Sequence, residues 1–351
     1  MRSIFVPAIG QYDNIGDIVL RRPLLRWLRP AGPLHVFVGP APDAYLAALS
    51  LGPDDVVYHS FLRWYLAGLR AGLRGRLHYA FKPGEIQLSL RGLKEHLAML
   101  PLLLLVRAGG GRVVRVGSGT RNFARWPRLL LAPSVALSNL VMWRDDETAA
   151  FLRKGGTMPD LGFADGEVNR LPAPRPWLVL SMRGDRLPVP EAWVDAVRSL
   201  ASRHSLRLRV VTQVARDETM SRDLAQRLGA DLLGWNGSDH DAQEHRLQAA
   251  YRGARGVVSD RLHVLIAAFT HGAVPLALLT DGSGKVARHF RAAGIDGIDI
   301  HVDGRPAAQL LEAMERVLAR EDELFGALAQ ARGRLELVRH QVVDMLQETR
   351  A

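Results

Sequence analysis

The chain has no cysteine, only four lysines among its 46 basic residues, and no apolar run long enough to cross a bilayer. Without cysteine there is no disulfide, no thiolate nucleophile and no cysteine-ligated metal. The lysines are Lys82, Lys94, Lys154 and Lys285; the other 42 basic residues are arginines. This bias reads as a habit of composition, so each lysine that does occur is informative. The most apolar segment, "HLAMLPLLLLVRA" (96–108), falls short of the roughly 20 residues of a spanning helix and contains Pro101. It predicts a buried helix, with a surface that touches membrane as the alternative. The opening "MRSIFVPAIG" is too short in its apolar part for a signal peptide, which makes a cytoplasmic protein the expectation. There is also no Walker loop, no Gly-x-Gly-x-x-Gly fingerprint and no His-Glu-x-x-His spacing.

What is present is 351 residues, nearly half of them apolar, enough for two domains with their own cores. The formal net charge of +10 favours anionic partners such as phosphates, carboxylates or an anionic membrane surface. The arginines are scattered and form no basic arm or aromatic-interleaved stripe, so nucleic acid is not the expected partner.

Short β-branched runs alternate with longer helical stretches. "IFVPAI" (4–9), "HVFVG" (35–39), "RVVRVG" (112–117) and "LVMWR" (140–144) read as strands, with helices over 41–51 and 60–73 between them. Residues 163–176, "FADGEVNRLPAPRP", are rich in Gly, Pro and polar residues and read as a linker. The alternation then restarts with strands at 177–183, 206–212, 256–260, 273–279 and 297–300, and the last forty or so residues look helical. The pattern predicts two α/β domains on parallel sheets: 1–165, a linker at 166–176, 177–330, and a helix over 331–351. A cleft between them is expected, and ligands of parallel sheets bind beyond the carboxyl ends of the strands.

Four loops at such ends carry the candidate residues. "GQYDNIGD" (10–17) offers Asn14, Gly16 and Asp17; its glycines let a backbone approach an anion, and a turn capped by Asn14 or Asp17 is the plainer reading. "WRDDETAAFL" (143–152) places Arg144 at a strand end. Asp145 and Glu147 there suit a first helical turn as well as they suit a metal, and no metal is expected. "SMRGDR" (181–186) places Arg183 at the matching position of the second domain. "SDRLHVLIAAFTHGAVPLAL" (259–278) predicts a helix capped by Asp260, with Arg261 and His263 in its first turn. Basic side chains there oppose the helix dipole, a misfit that an anionic ligand would resolve. Lys285 follows the glycine turn "TDGSGK", and "SDHDAQEHR" (238–246) reads as a capped surface helix.

Together these segments resemble the polysaccharide pyruvyl transferase family. The resemblance rests on "NIGD", on "RDDETAAFLRKGG" leading to "PDLGFAD", and above all on "VVSDRLHVLIAAFTHGAVPLAL" followed by Lys285. It implies two Rossmann-like domains in a glycosyltransferase-B-like arrangement, the first on the acceptor side and the second holding the donor. It also implies transfer of a pyruvyl group from phosphoenolpyruvate to sugar hydroxyls as a ketal, in cell-surface or exopolysaccharide biosynthesis, without a cofactor. The family's catalytic positions fall on Arg144, His263 and Lys285. Arg261, Arg183, Asn14, Gly16 and Asp17 are the expected substrate-binding residues. A saccharide acceptor is implied, with a lipid-linked acceptor and contact with the inner face of the membrane left open. Two segments depart from the family's pattern: Gly282, Ser283 and Gly284 stand before the lysine, and "YAFKPGEIQ" (79–87) stands where a glycine-rich loop is usual. The competing expectations are a nucleotide-sugar-dependent glycosyltransferase on the same architecture and a non-catalytic member of the family.

Overall fold

A computed structural model describes residues 2–168, 174–235, 237, 239–282 and 284–348. The chain forms two compact units. The first comprises residues 1–11, 20–161 and 332–351, and the second residues 12–19 and 162–331. The linker expected over 166–176 lies in part outside the described residues, as does Ser283.

The first unit is built on a parallel sheet of eight strands: β1 (Ser3–Pro7), β2 (Leu34–Phe37), β3 (Val56–Tyr58), β4 (Leu77–Ala80), β5 (Gly84–Ile86), β6 (Val113–Thr120), β7 (Leu140–Trp143) and β8 (Gly156–Thr157). Their order is β3-β2-β1-β4-β6-β7-β8, with β5 paired to the end of β6. The connecting helices are α1 (Ile15–Leu28), α2 (Asp43–Ala48), α3 (Phe61–Leu73), α4 (Lys94–Ala98), α5 (Leu100–Ala108), α6 (Pro127–Leu137) and α7 (Asp146–Leu152). β6 is buried along its whole length, as a strand covered on both faces must be. Phe5, Trp64, Tyr79, Phe81, Leu102 and Val106 form one side of the core.

The apolar segment 96–108 is not one buried helix. It breaks into α4 and α5, with Pro101 in the first turn of α5, where a missing N–H costs nothing. Only Leu102, Leu103 and Val106 of α5 are buried, and Leu104 points to solvent.

The second unit has a six-stranded parallel sheet: β9 (Trp177–Ser181), β10 (Arg207–Val211), β11 (Asp231–Leu233), β12 (Ala254–Ser259), β13 (Val274–Leu279) and β14 (Asp299–His301). The order β11-β10-β9-β12-β13-β14 is that of a doubly wound dinucleotide-type fold. Its helices are α8 (Glu191–Arg203), α9 (Glu218–Leu228), α10 (His240–Arg252), α11 (Leu262–Thr270), α12 (Lys285–Ala292) and α13 (Ala307–Ala319), followed by the long α14 (Glu321–Gln347). The strand order reverses between β9 and β12, whose ends are in register at Ser181 and Ser259. A crevice for ligands is expected beyond such a switch point. Arg183 follows one of these strands and Arg261 the other.

Candidate functional site

In the second unit, β12 ends at Ser259, fully buried, whose hydroxyl donates to the Ser181 carbonyl and accepts the Arg261 amide at 3.0 Å. Asp260 does not cap α11. Its carboxylate turns back to accept the Arg183 backbone N–H at 3.0 Å, tying the ends of the two switch-point strands together. Arg261 takes the N-cap position instead, through its backbone: its carbonyl accepts from Val264 and Leu265, both at 3.2 Å. Leu262 and His263 then form the first turn, with Leu262 buried and His263 half-buried. Burial raises the Asp260 carboxyl to about 6, although Arg183 and Arg261 pull it the other way.

The Arg261 guanidinium is held side-on by Asp217, a residue the sequence reading passed over. Its Nη2 donates to Asp217 Oδ1 at 2.6 Å and its Nε lies 2.5 Å from Oδ2. Asp217 is 1% exposed, and its Oδ1 also accepts the Gly184 amide at 2.8 Å. One buried carboxylate therefore orients the arginine and fixes the loop after β9. Nη1 takes no part in that pair. Arg183 makes a two-pronged pair of its own with Asp185, at 2.8 and 2.6 Å, and this bond holds the Asp185 carboxyl well below its ordinary range. Arg183 is thus an outward, carboxylate-matched arginine.

The "NIGD" segment meets this cluster. Asn14 bridges Val214 in antiparallel fashion, the Ala215 amide donates to the Asp13 carbonyl at 2.9 Å, and residues 12–19 count with the second unit. The Asn14 side chain caps α1 by accepting the Gly16 amide at 3.0 Å, which is the plainer role expected for it. Gly16 is needed for space: a Cβ there would stand 2.9 Å from the Cβ of His263 and 3.1 Å from Asn14 Oδ1. So Asn14, Gly16, His263, Arg261 and Arg183 all belong to one unit. Asp17 lies in the first turn of α1, where its charge suits the dipole. Behind this loop, buried His240 engages the Asn14 backbone, and its imidazole is lowered chiefly by burial. A small, mainly apolar cavity in the same unit is lined by Ile15, Val19, Leu247 and Ala267, with Gln213, Glu244 and His271 at its edge. Lys285 opens α12 after Gly284, which adopts the left-handed conformation at φ 56°.

Arg144 lies in the first unit, just after β7, and is buried to 1% exposure. Its Nη1 donates to Asp160 at 3.0 Å, and its Nη2 lies 3.7 Å from Glu85. Asp145 is the N-cap of α7, accepting the Thr148 amide at 2.8 Å and its hydroxyl at 2.9 Å. This is the helix-capping role, not a metal ligand's. Among the described residues no group of three His, Asp or Glu is placed to hold a metal ion. Gly119 packs against the pair; a Cβ on it would come within 2.7 Å of Asp145 Oδ2 and 3.1 Å of Arg144.

A family model for polysaccharide pyruvyl transferases matches residues 14–282, more than half of the sequence. The chain belongs to that family.

The polysaccharide pyruvyl transferase match begins at Asn14 and takes in Arg144, Arg183, Arg261 and His263, while Lys285 lies just beyond its end. No curated protein matches the chain in sequence. Solved structures show the fold. The UDP-GlcNAc 2-epimerase of Neisseria meningitidis bound to UDP-GlcNAc is similar with a TM-score of 0.59 at 10% identity, over 99% of this chain and 100% of that one. UGT2 of Phytolacca americana, complexed with UDP-2fluoro-glucose and pterostilbene, has a TM-score of 0.56 at 8% identity, over 97% and 99%. The UDP-GlcNAc 2-epimerase of Methanocaldococcus jannaschii has a TM-score of 0.55 at 10% identity, over 91% and 93%. The fold is therefore that of the glycosyltransferase-B enzymes and these epimerases, as expected. One departure from the polysaccharide pyruvyl transferase pattern acquires a physical meaning. Segment 79–87 contains β5, which pairs with the end of β6 and carries Glu85 to Arg144.

Proposed function

We propose that the protein transfers a pyruvyl group from phosphoenolpyruvate to two hydroxyls of a saccharide, forming a cyclic ketal and releasing inorganic phosphate. The observation that carries this reading is the Asp217-oriented Arg261 at the mouth of α11, two residues from His263 and beyond the switch point of the sheet. The donor is a small dianion or trianion with a carboxylate and a phosphate ester on the same enol carbon. It calls for fixed cations and for a proton delivered to its methylene carbon.

Arg261 supplies a rigid fork and Lys285 a second positive charge at the start of α12, where exposed amides add to the field. His263 gives a proton to the methylene carbon, which makes the adjacent carbon electrophilic. One sugar oxygen bonds to that carbon, and the second displaces phosphate, each hydroxyl losing its proton. In the first unit, Arg144, with its guanidinium oriented by Asp160 and Glu85, is the residue assigned to charge stabilisation by its place in the family's Arg-Asp motif. The scheme uses no cofactor. The acceptor is a cell-surface or exopolysaccharide sugar, free or lipid-linked, modified at the inner face of the membrane.

The test is release of inorganic phosphate from phosphoenolpyruvate in the presence of nitrophenyl sugars or lipid-linked sugars, with the ketal identified by mass spectrometry. His263→Ala is expected to lower kcat at least a hundredfold while the melting temperature stays within a few degrees, since its side chain is only half-buried. Retained turnover in that variant would remove the histidine's assigned role. Absence of any ketal, together with no thermal stabilisation by phosphoenolpyruvate, would overturn the reading as a whole.

A further inference from the structure

The arginines are spread along the sequence, but the acids that balance them are not. Residues 60–137 hold eleven arginines and two lysines against Glu85 and Glu95 alone, so this segment by itself exceeds the net charge of +10. The remaining residues are close to neutral, with thirty-three basic side chains and thirty-four acidic ones. The same stretch also concentrates exposed apolar side chains. Of the thirteen large hydrophobic residues exposed among those described, nine lie between Phe61 and Leu129. Charge and exposed apolar surface thus coincide in one part of the first unit.

The helices explain how. In the first unit α5 packs against both α3 and α6, so the three form one layer. α3 turns Trp64, Gly68 and Gly72 inward, and the two glycines let Leu102 and Leu105 of α5 approach. Leu62, Leu66 and Leu73 recur at four and seven residues and so share the opposite, outward face. Leu62 is 64% exposed and Leu73 is 75% exposed. Arg63, Arg70 and Arg74 recur at seven and four residues along the adjoining face, and among the described residues they form no ion pair. α5 adds outward Leu104 with exposed Arg107, and the start of α6 adds Trp126 and Leu129 with exposed Arg125.

An apolar stripe bordered by arginines, with a tryptophan at its margin, is the chemistry of a helix lying in the headgroup region of a bilayer. A water-facing helix has no use for a leucine stripe opposite its core. A surface for nucleic acid would need the charges without the leucines. Among the described residues no helix is long and apolar enough to cross a membrane, so the surface would lie on the bilayer.

We infer that the outer layer α3–α5–α6 docks the protein on an anionic lipid membrane, with the leucines entering the acyl boundary and the arginines meeting lipid phosphates. This inference does not depend on the reaction proposed above.

Flotation of the full chain with vesicles tests it, comparing phosphatidylcholine alone with equal parts of phosphatidylcholine and phosphatidylglycerol. Flotation is expected with the anionic vesicles and not with the neutral ones, and it should be reversed by added salt. Each reversal among Arg63→Glu, Arg70→Glu and Arg74→Glu should weaken vesicle binding by about fivefold or more. The pair Leu66→Ser and Leu73→Ser should weaken binding at low salt while leaving the melting temperature unchanged, because these side chains face outward. No flotation with anionic vesicles would overturn the inference, as would flotation that ignores the α3 substitutions. Two other results would also overturn it: binding to RNA with none to vesicles, or loss of a self-associated species in the leucine variants without any vesicle binding.

Discussion

Asp217 and Arg261 form a buried pair in which one carboxylate oxygen accepts from both Nη2 of the arginine and the Gly184 amide, while the other oxygen lies in ion-pair contact with Nε. Removing one partner of such a pair leaves the other charge buried without compensation, at a cost of about 3–5 kcal/mol. Asp217→Asn keeps the shape and the acceptor for Gly184 but can match only part of the guanidinium. We expect it to fold with reduced stability and to raise the KM for phosphoenolpyruvate more than tenfold with a smaller change in kcat, measured by phosphate release. An unchanged KM would show that Arg261 needs no positioning by this carboxylate. Asp260 makes a second prediction, with a definite sign. Its folded-state value of about 6 lies above the ordinary 3.8, so between those values the folded state binds more protons than the unfolded state. Its contribution therefore favours folding at low pH and is lost as pH rises through 6. Asp260→Asn is expected to gain stability relative to the native protein as pH rises from about 4 to above 6, by up to about 2 kcal/mol. Thermal melts across that range check it; a constant difference would show that Asp260 titrates elsewhere.

At the scale of elements, α1 and α11 meet through a glycine. The start of α1 lies against the first turn of α11 only because Gly16 has no side chain, and a methyl group there would come within 2.9 Å of the His263 Cβ. Gly16→Ala must move one of the two helix starts by a few tenths of an ångström or more. Such overpacking costs about 1–3 kcal/mol. The expected outcome is a lower melting temperature together with a kcat reduced about tenfold, since His263 is displaced while Arg261 keeps its Asp217 partner. A variant with full activity would mean that the contact does not set the position of the imidazole. The sequence reading separated "NIGD" from the Arg-Leu-His motif by more than two hundred residues; the link between them is made by a loop, through Asn14 against Val214. The segment 96–108 shows the opposite case, in which local sequence held the answer. Pro101 was visible, and it divides the segment in two.

The molecule as a whole is two parallel-sheet units of the glycosyltransferase-B kind, and one of them carries the excess charge. A net charge of +10 spread evenly would only aid solubility. The part of it carried by Arg63, Arg70, Arg74, Arg107 and Arg125 lies on or next to three packed helices, beside outward leucines, and there it makes the surface assigned above to an anionic membrane. The counts were open to inspection in the sequence, yet an even scatter of arginines concealed them, because what varies along the chain is the acidic residues. Which leucines face outward was also not legible, since the period of α3 places an apolar stripe on each side of the helix and only packing against α5 decides which one is core.

Composition and period determined a good deal without coordinates: an α/β class, two sheets, strand ends at Arg144, Arg183 and Asp260, and the family itself through the Arg-Leu-His block. These follow from local preference, from the alternation of strand and helix, and from residue identity at short spacing, all of which are properties of neighbours along the chain. The tertiary structure alone decided that Asp217 holds Arg261, that Glu85 and Asp160 hold Arg144, and that Gly16 touches His263. Each of these joins residues from different elements of the chain. Their pairing is set by which strand ends the sheet brings side by side, and the sequence carries no local signal for that.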